Sequence, residues 1–315
     1  MPQNFTFPLA IGTRSSELAI AQANQVKREI LAAHPEISET DIEIIKIKTS
    51  GDKFLEQKIS LIGGKGLFTK EIEESLLSKD IDIAVHSVKD LPAELPDGLI
   101  MGAFLEREDP TDAFISTKHQ TFGNLPENAV IGTSALRRKA ILLNLRPDLN
   151  IVDIRGNINT RLRKLKEQDL DGIILAAAGL KRVGIESSIT QRLDPDVMLP
   201  AIGQGAVGIE CRENDHKVQK ILAKINHQAT AETINIERYF MKLVDGDCRT
   251  PIACYVKYLE EKLMIKAMII HPLGTEKYIQ QELVSANEAH ATIDQMVGKI
   301  HQEAAPILDY IEKHG

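Results

Sequence analysis

Arginine recurs in this chain where a short apolar run gives way to a turn. Ile11-Gly12-Thr13-Arg14-Ser15-Ser16 and, far downstream, Ile131-Gly132-Thr133-Ser134-Ala135-Leu136-Arg137-Arg138 share one plan: strand, Gly-Thr turn, hydroxyl, arginine. At such a junction the backbone amides of a helix start and a guanidinium converge on an anion. Arg155-Gly156-Asn157 follows another apolar run, Arg161 falls one turn into the next helix, and Lys181-Arg182 close a further strand–helix unit. A lone arginine is usually a solvated charge, but recurrence at equivalent positions points to a ligand with several anionic groups. Arginine suits carboxylate because its planar fork binds both oxygens, at about 1.5–3 kcal/mol per charge-assisted bond. Two carboxylates about 6 Å apart repel by roughly 3 kcal/mol at an effective dielectric near 20, so a ligand carrying many of them needs many cations. On this evidence phosphate competes with carboxylate.

The acid–base candidate is Asp90 in His86-Ser87-Val88-Lys89-Asp90-Leu91-Pro92, directly after an apolar run that reads as a buried strand. Beside Lys89 its carboxylate tends to stay ionised, which suits steadying a cation or accepting a proton from carbon. A turn aspartate before proline is the competing reading. Of the three cysteines, Cys254 and Cys211 lie in or at the end of apolar runs and read as structural. Cys248 differs, because Asp245-Gly246-Asp247-Cys248-Arg249-Thr250-Pro251 is a punctuated loop in which a thiol can face a ligand.

Other chemistries fit less well. The cysteines form no Cys-x-x-Cys pair and the histidines no His-Glu-x-x-His spacing, so neither a disulfide framework nor a metal site is expected. Gly203-Gln204-Gly205-Ala206-Val207-Gly208 matches a dinucleotide pattern literally, but a poor strand precedes it and strand, not helix, follows. Gly63-Gly64-Lys65-Gly66 lacks the Walker spacing and reads as a loop, and Ser50 to Gly64 as a lid.

These residues need elements to hold them. The spacing of apolar residues predicts strands at Leu9–Gly12, Ile42–Ile47 and Ile81–His86, with helices at Ser16–Ala33 and Phe68–Ser78. Ser16 is the expected N-cap, and Leu18, Ala19, Ala21, Val26 and Ile30 the expected buried face. The pattern restarts with strands at Val130–Gly132, Asn150–Ile154 and Gly172–Ala176, and helices at Ser134–Asn144 and from Thr160. Short strands that are apolar on consecutive positions suit a largely parallel sheet covered on both faces. After Pro195 to Gly208 come helices near Asp215–Ile225 and Thr230–Val244, strands Ile252–Lys257 and Leu263–Ile270, and a helix from Ala289, which suit a small α+β domain.

The 315 residues fit two or three domains, and 43% apolar with 26% charged residues is a soluble globular composition. A net charge of -7 argues against a general nucleic-acid binder. With no apolar run of about eighteen residues and no signal-peptide pattern at Met1 to Pro8, a cytoplasmic protein without a membrane partner is expected.

Taken in order, Gly12-Thr13-Arg14, Gly63-Gly64-Lys65-Gly66-Leu67-Phe68, His86-Ser87-Val88-Lys89-Asp90, Gly132-Thr133-Ser134 with Arg137-Arg138, Arg155-Gly156-Asn157, Ala178-Gly179-Leu180-Lys181-Arg182, Gly203-Gln204-Gly205-Ala206 and the Cys248 loop resemble the porphobilinogen deaminase (hydroxymethylbilane synthase) family. The resemblance implies an α/β fold of two periplasmic-binding-protein-like (type II) lobes plus a small C-terminal α+β domain. Residues 1–105 with 206–223 would form the first lobe, 106–205 the second, and 224–315 the third domain. It implies a transferase that condenses four porphobilinogen molecules head to tail on a dipyrromethane primer, releases ammonia at each step and hydrolyses off 1-hydroxymethylbilane. The primer would be a covalent thioether on Cys248, one per chain, and the enzyme a monomer.

By matching position, the resemblance assigns Lys89, Asp90, Ser134, Arg137, Arg138, Arg155 and Gly156 to the cofactor. It assigns Arg14, Ser16, Arg155, Arg161, Arg182 and Gln204 to the substrate, and the chemistry to Asp90. The departure is Asp247, where the family commonly has a small residue; its carboxylate disfavours the neighbouring thiolate, and Arg249 offsets it. A non-catalytic two-lobed solute-binding module and a phosphoribosyl transferase are the alternatives. The first is weakened by the missing export signal and DNA-binding segment, the second by the missing acidic ribose signature.

Overall fold

The computed structural model describes residues 8–53, 69–244 and 250–314. Cys248 and its neighbours Asp247 and Arg249, the Gly63–Phe68 segment and most of the expected lid lie outside the described residues. Along the chain come β1 (Leu9–Arg14), α1 (Glu17–Ala33), β2 (Ile42–Ile47), α2 (Ser50–Lys53), α3 (Lys70–Leu77), β3 (Ile83–Ser87) and β4 (Leu99–Phe104). Then follow β5 (Asp112–Ile115), β6 (Val130–Gly132), α4 (Leu136–Leu145), β7 (Asn150–Val152), α5 (Ile158–Glu167), β8 (Gly172–Ala176), α6 (Ala177–Arg182) and β9 (Gln191–Leu193). The chain continues through β10 (Val207–Arg212), α7 (His216–Ala223) and α8 (Gln228–Leu243). It ends with β11 (Ile252–Leu259), β12 (Lys262–Ile270), β13 (Lys277–Val284), α9 (Ala289–Glu303) and α10 (Ala305–His314).

Two compact units form: Met1–Glu108 with Ala206–Glu232, and Asp109–Gly205 with Thr233–Gly315. The first holds a five-stranded sheet in the order β2-β1-β3-β10-β4, the second one in the order β7-β6-β8-β5-β9. The two orders follow one scheme. In each, the first three strands are parallel, and one strand, β10 or β5, runs antiparallel to both of its neighbours. The sheets are therefore mixed, with a parallel half, where consecutive apolar runs suggested a largely parallel sheet. Because the odd strand runs backwards, its first residues lie beside the carboxyl ends of its neighbours. Val207 pairs with Ser87, and Asp112 with Ala176.

Burial accounts for the sheets. Leu9, Ile11, Ile83, Val207 and Ile209 are sealed against Ala23, Val26 and Ile30 of α1 and Val218 and Leu222 of α7. Each such aliphatic side chain contributes about 1.5–3 kcal/mol when fully buried. On α1 the buried face is Ala19, Gln22, Ala23, Val26 and Ile30, whereas the expected Leu18 and Ala21 are half-buried. Ser16 caps the helix as expected, its Oγ accepting from Ala19 N at 3.3 Å. α5 starts at Ile158, ahead of the expected Thr160, because Asn157 is its N-cap and accepts from Thr160 N at 2.8 Å.

In the second unit, Phe114, Ile131, Leu142 and Met198 share a core with Ala253, Tyr255, Met264 and Met268, which joins the antiparallel β11-β12-β13 sheet to the mixed one. β12 is apolar on consecutive positions because both of its faces are covered, α4 and α9 each packing against it. Together with α9 and α10 this sheet forms the small α+β domain. No helix among the described residues is long and apolar enough to cross a membrane.

Candidate active site

In the first unit, a pocket opens where β1 and β3 end. Arg14 leaves β1 directly before the α1 cap, and Asp90 ends a short 3-10 turn, Val88–Asp90, that follows β3. Arg14, Ser16, His86, Ser87 and Asp90 all line this pocket, with Gln22 from α1 and Thr69 from the start of α3. Asp90 is exposed and Arg14 half-buried, so the pocket offers a solvated carboxylate beside a partly desolvated cation. Lys89 is half-buried in the same turn. Gln22 and Ser87 bond each other across the wall: Gln22 Nε2 donates to Ser87 Oγ at 2.8 Å, and Ser87 Oγ donates to Gln22 Oε1 at 3.1 Å. The 3-10 turn is tied to the returning chain, Val88 N donating to Ala206 O at 3.1 Å.

Behind the pocket lies a buried acidic pair. Glu210 of β10 is fully buried and its Oε2 is 3.0 Å from Nε2 of His86; Glu73 of α3 is 7% exposed. Burial pushes the Glu73 carboxyl up, and the Glu210 charge adds to this against the opposing Thr69 hydrogen bond and His86.

The second unit places its cations in two settings. Arg137 and Arg138, on the first turn of α4, are only 6% and 5% exposed and converge on the fully buried Asp112 at the start of β5. Arg137 donates from Nη2 to Asp112 Oδ2 at 2.8 Å and from Nη1 to Leu199 O at 2.5 Å. Arg138 donates to Asp112 Oδ1 from Nη2 at 2.7 Å and from Nε at 3.0 Å, and from Nη1 to Ile174 O at 3.0 Å. Gln204 Nε2 completes the cluster, donating to Asp112 Oδ1 at 2.9 Å and Pro110 O at 2.6 Å. Burial pushes the Asp112 carboxyl up, but the two guanidinium charges and Gln204 outweigh it and bring it down to about 2. The sequence leaves this arginine pair facing a ligand. The structure ties it to Asp112 because α4 turns that face into the sheet, and two cations against one carboxylate leave one positive charge in excess.

The other cations are more open. Ser134 is exposed, kept out of the helix by the turn in which Ala135 N donates to Thr133 Oγ1 at 3.3 Å. The Arg155 side chain is 27% exposed and donates from Nε to Asp153 Oδ2 at 2.7 Å. Arg161 Nε reaches Gly156 O at 2.8 Å, and Arg182 Nη2 reaches Gly205 O at 2.7 Å. Gly156 has φ +114°, where an added Cβ would also lie 2.6 Å from Thr160 Cγ2, so only glycine carries the chain from Arg155 into the Asn157 cap. Gly203-Gln204-Gly205 is a turn with positive φ at both glycines, followed by strand, as expected; it presents Gln204 to Asp112 instead of cradling a phosphate.

Asp112 is the residue that the sequence reading missed. Its signal was a carboxylate heading the apolar run Ala113-Phe114-Ile115, a position that demands a cationic partner. Gln22, a lone amide on the apolar face of α1, is a second missed signal. Cys211 and Cys254 are buried, as their runs predicted, and burial with Asp215 nearby pushes the Cys211 thiol up to about 12.

Comparison with known proteins bears on this geometry. The model of "Porphobilinogen deaminase, dipyromethane cofactor binding domain" matches residues 9–220, and that of "Porphobilinogen deaminase, C-terminal domain" matches residues 231–302. The chain belongs to the porphobilinogen deaminase family. Porphobilinogen deaminase of Trichlorobacter lovleyi is 53% identical, over 90% of this chain and 89% of its own. That of Geobacter sulfurreducens is 51% identical over 85% and 83%, and that of Syntrophomonas wolfei 46% identical over 95% and 97%. Among solved structures, the chain is similar to the methionine-binding protein MetQ at 14% identity, with a TM-score of 0.43 over 73% of this chain and 96% of that one.

The family's cofactor, dipyrromethane, carries several carboxylates. The described residues suit it: Ser134, Arg155, Arg161 and Arg182 are hydroxyl and guanidinium donors, and the Asp112 cluster keeps surplus positive charge.

Proposed function

We propose that this protein is a transferase, a hydroxymethylbilane synthase, which joins four porphobilinogen molecules head to tail, releases one ammonia for each and frees the linear tetrapyrrole by hydrolysis. The reading rests on the Asp90 pocket, where a solvated carboxylate and Arg14 line one cavity at the end of a strand. Membership of the family supports it. Cys248 holds the dipyrromethane as a thioether, one per chain; when bound, the group supplies a free pyrrole α-carbon as nucleophile.

The chain's own residues bind and orient. Arg14 and Ser16 hold the incoming substrate's carboxylates, while Asp90 accepts pyrrole N–H bonds and steadies the positive charge that develops as the amine departs. Lys89, beside Asp90, pairs with a cofactor carboxylate. In the second unit Ser134, Arg155, Arg161 and Arg182 bind further carboxylates directly, with Gly156 giving backbone clearance. Arg137 and Arg138 act with Asp112 and Gln204 as one cluster whose surplus charge attracts the same groups. The enzyme works as a cytoplasmic monomer on a small molecule. Its three parts are the ones the resemblance implies, 1–105 with 206–223, 106–205 and 224–315.

Intact-protein mass spectrometry tests this reading. The expected result is a covalent increment of two pyrrole units that disappears in Cys248→Ala; a fully active, unmodified chain overturns it.

A further inference from the structure

The family reading uses Asp90 and leaves a second titratable group in the same pocket without a task. His86 sits near the end of β3 and lines the pocket with Arg14, Ser87 and Asp90. The sheet register explains its partner. His86 lies opposite Gly208 and Ala84 opposite Glu210, so His86 and Glu210 project from one face of the sheet, two residues apart along β10. Gly208 has no side chain to come between them.

The Glu210–His86 pair has the form of a buried carboxylate that orients an imidazole. With Glu210 ionised, the 3.0 Å contact makes Nε2 the N–H donor and leaves Nδ1 as the nitrogen available for exchange. Packing fixes the ring: α3 lies over this face, with Ile72 and Leu76 sealed against Ile81, Ala84 and Leu99. The charged groups among the described residues that face His86 or share its pocket are Glu210 from β10, Glu73 from α3, Arg14 from β1 and Asp90 from the turn after its own strand. Among the described residues, Oε1 of Glu73 and Oε1 of Glu210 are buried without a hydrogen-bond partner. Two under-satisfied carboxylates beside one imidazole are costly as structure alone, and the cost has a rationale if the cluster exchanges a proton.

We propose that His86, oriented by Glu210, is a second catalytic residue of this pocket and acts as the general acid for the departing amine. The inference rests on the deaminase reading above. In the step, the C–N bond of porphobilinogen breaks with its electron pair passing to nitrogen. His86 enters the step as imidazolium and gives its Nδ1 proton to the neutral amine nitrogen, which leaves as ammonia; Nδ1 regains a proton when the new carbon–carbon bond forms and the attacking carbon loses its hydrogen. One proton leaves the ring and one returns, and no oxidant or reductant is needed. Asp90 then has the separate task of steadying the cation. Glu210 and Glu73 are positioning residues that keep the ring oriented and supplied.

The test uses the full chain carrying its covalent primer, confirmed by mass for every variant. His86→Asn is expected to lower kcat/KM for porphobilinogen about 100-fold or more, the usual range for a lost general acid. Glu210→Gln is expected to lower kcat about 10-fold and to move the pH profile of kcat/KM toward acid, a shift that a merely structural role would not produce. Wild-type protein with 15N-labelled histidine gives a readout independent of folding in the variants. Adding porphobilinogen is expected to shift the His86 ring signals but not those of His34, which is buried in the same unit and bonded to Glu36 and Ile221 O. An unmoved pH profile in Glu210→Gln, or His86 signals indifferent to porphobilinogen, overturns the proposal. If wild-type protein itself consumes no porphobilinogen, the deaminase reading fails first, and the two failures are thereby distinct.

Discussion

Asp90 and Asp112 occupy comparable edges of the two mixed sheets and have opposite environments. Asp90 ends the turn after β3 and is exposed, beside an arginine that lines the same pocket. Asp112 heads the antiparallel strand β5, is fully buried and is gripped by two arginines and a glutamine. One carboxylate is available to a ligand, whereas the other is spent on holding cations in place. Proximity to arginine at the carboxyl edge of a sheet therefore does not by itself separate a reacting group from a scaffold; solvent access and the number of committed donors do.

Breaking this contrast begins with the substitution of largest expected effect. Asp90→Ala is expected to leave folding intact, because an exposed turn carboxylate has little to lose, and to lower porphobilinogen consumption by about 10²–10⁴-fold. Near-normal turnover in a steady-state assay removes Asp90 from the chemistry. Asp112→Asn is expected to do the reverse in the first instance: with the counter-charge gone, two buried guanidinium groups face a neutral amide, and stability falls by about 3–5 kcal/mol in urea unfolding. If that variant keeps wild-type stability, the cluster is not a scaffold and the contrast collapses.

Acid should reproduce a weaker version of the same loss. The Asp112 carboxyl is depressed from 3.8 to about 2 on folding, so the folded state favours its ionised form. The stabilisation is complete above the unfolded value, near pH 4, and is lost as pH falls through about 2. It amounts to about 2 kcal/mol. Unfolding free energies of wild type and Asp112→Asn, measured between pH 5 and 2, are expected to converge as pH drops; parallel curves would count against the depressed carboxyl.

Much of this organisation is legible in the sequence, and for local reasons. The bounds of β2, β6 and β8 follow from short apolar runs interrupted by polar residues or glycine, and α1 is announced by Ser16 and its period. The strands not expected from the sequence differ in signal. β4 is an apolar run, Leu99-Ile100-Met101-Gly102-Ala103-Phe104, that the sequence reading passed over, and β5 and β9 are too short for a period to show. β13 carries Gln280, Gln281 and Glu282 on an open edge where burial imposes no apolar pattern. The cations of the site were legible because glycine and hydroxyl residues mark the turns that carry them. Which of them point inward was not, because Asp112 lies well away in sequence from Arg137 and Arg138, and only the antiparallel direction of β5 brings it to their edge. Tertiary direction, absent from any local window, decided their roles.

The antiparallel strand of the first sheet also constrains how the molecule can be made. β10 lies between β3 and β4, yet it is encoded after the whole of the second mixed sheet. A chain emerging from the ribosome reaches Phe104 with β3 lacking one neighbour and β4 lacking the strand it pairs with, and both must wait until Arg212 has been synthesised. The sheet that carries Arg14, His86 and Asp90 is thus closed late, by a strand delivered from downstream, while the second mixed sheet has all its strands earlier. An interrupted translation product ending before Val207 would expose an open β edge beside the future pocket, the kind of surface on which nascent chains aggregate or are held by chaperones.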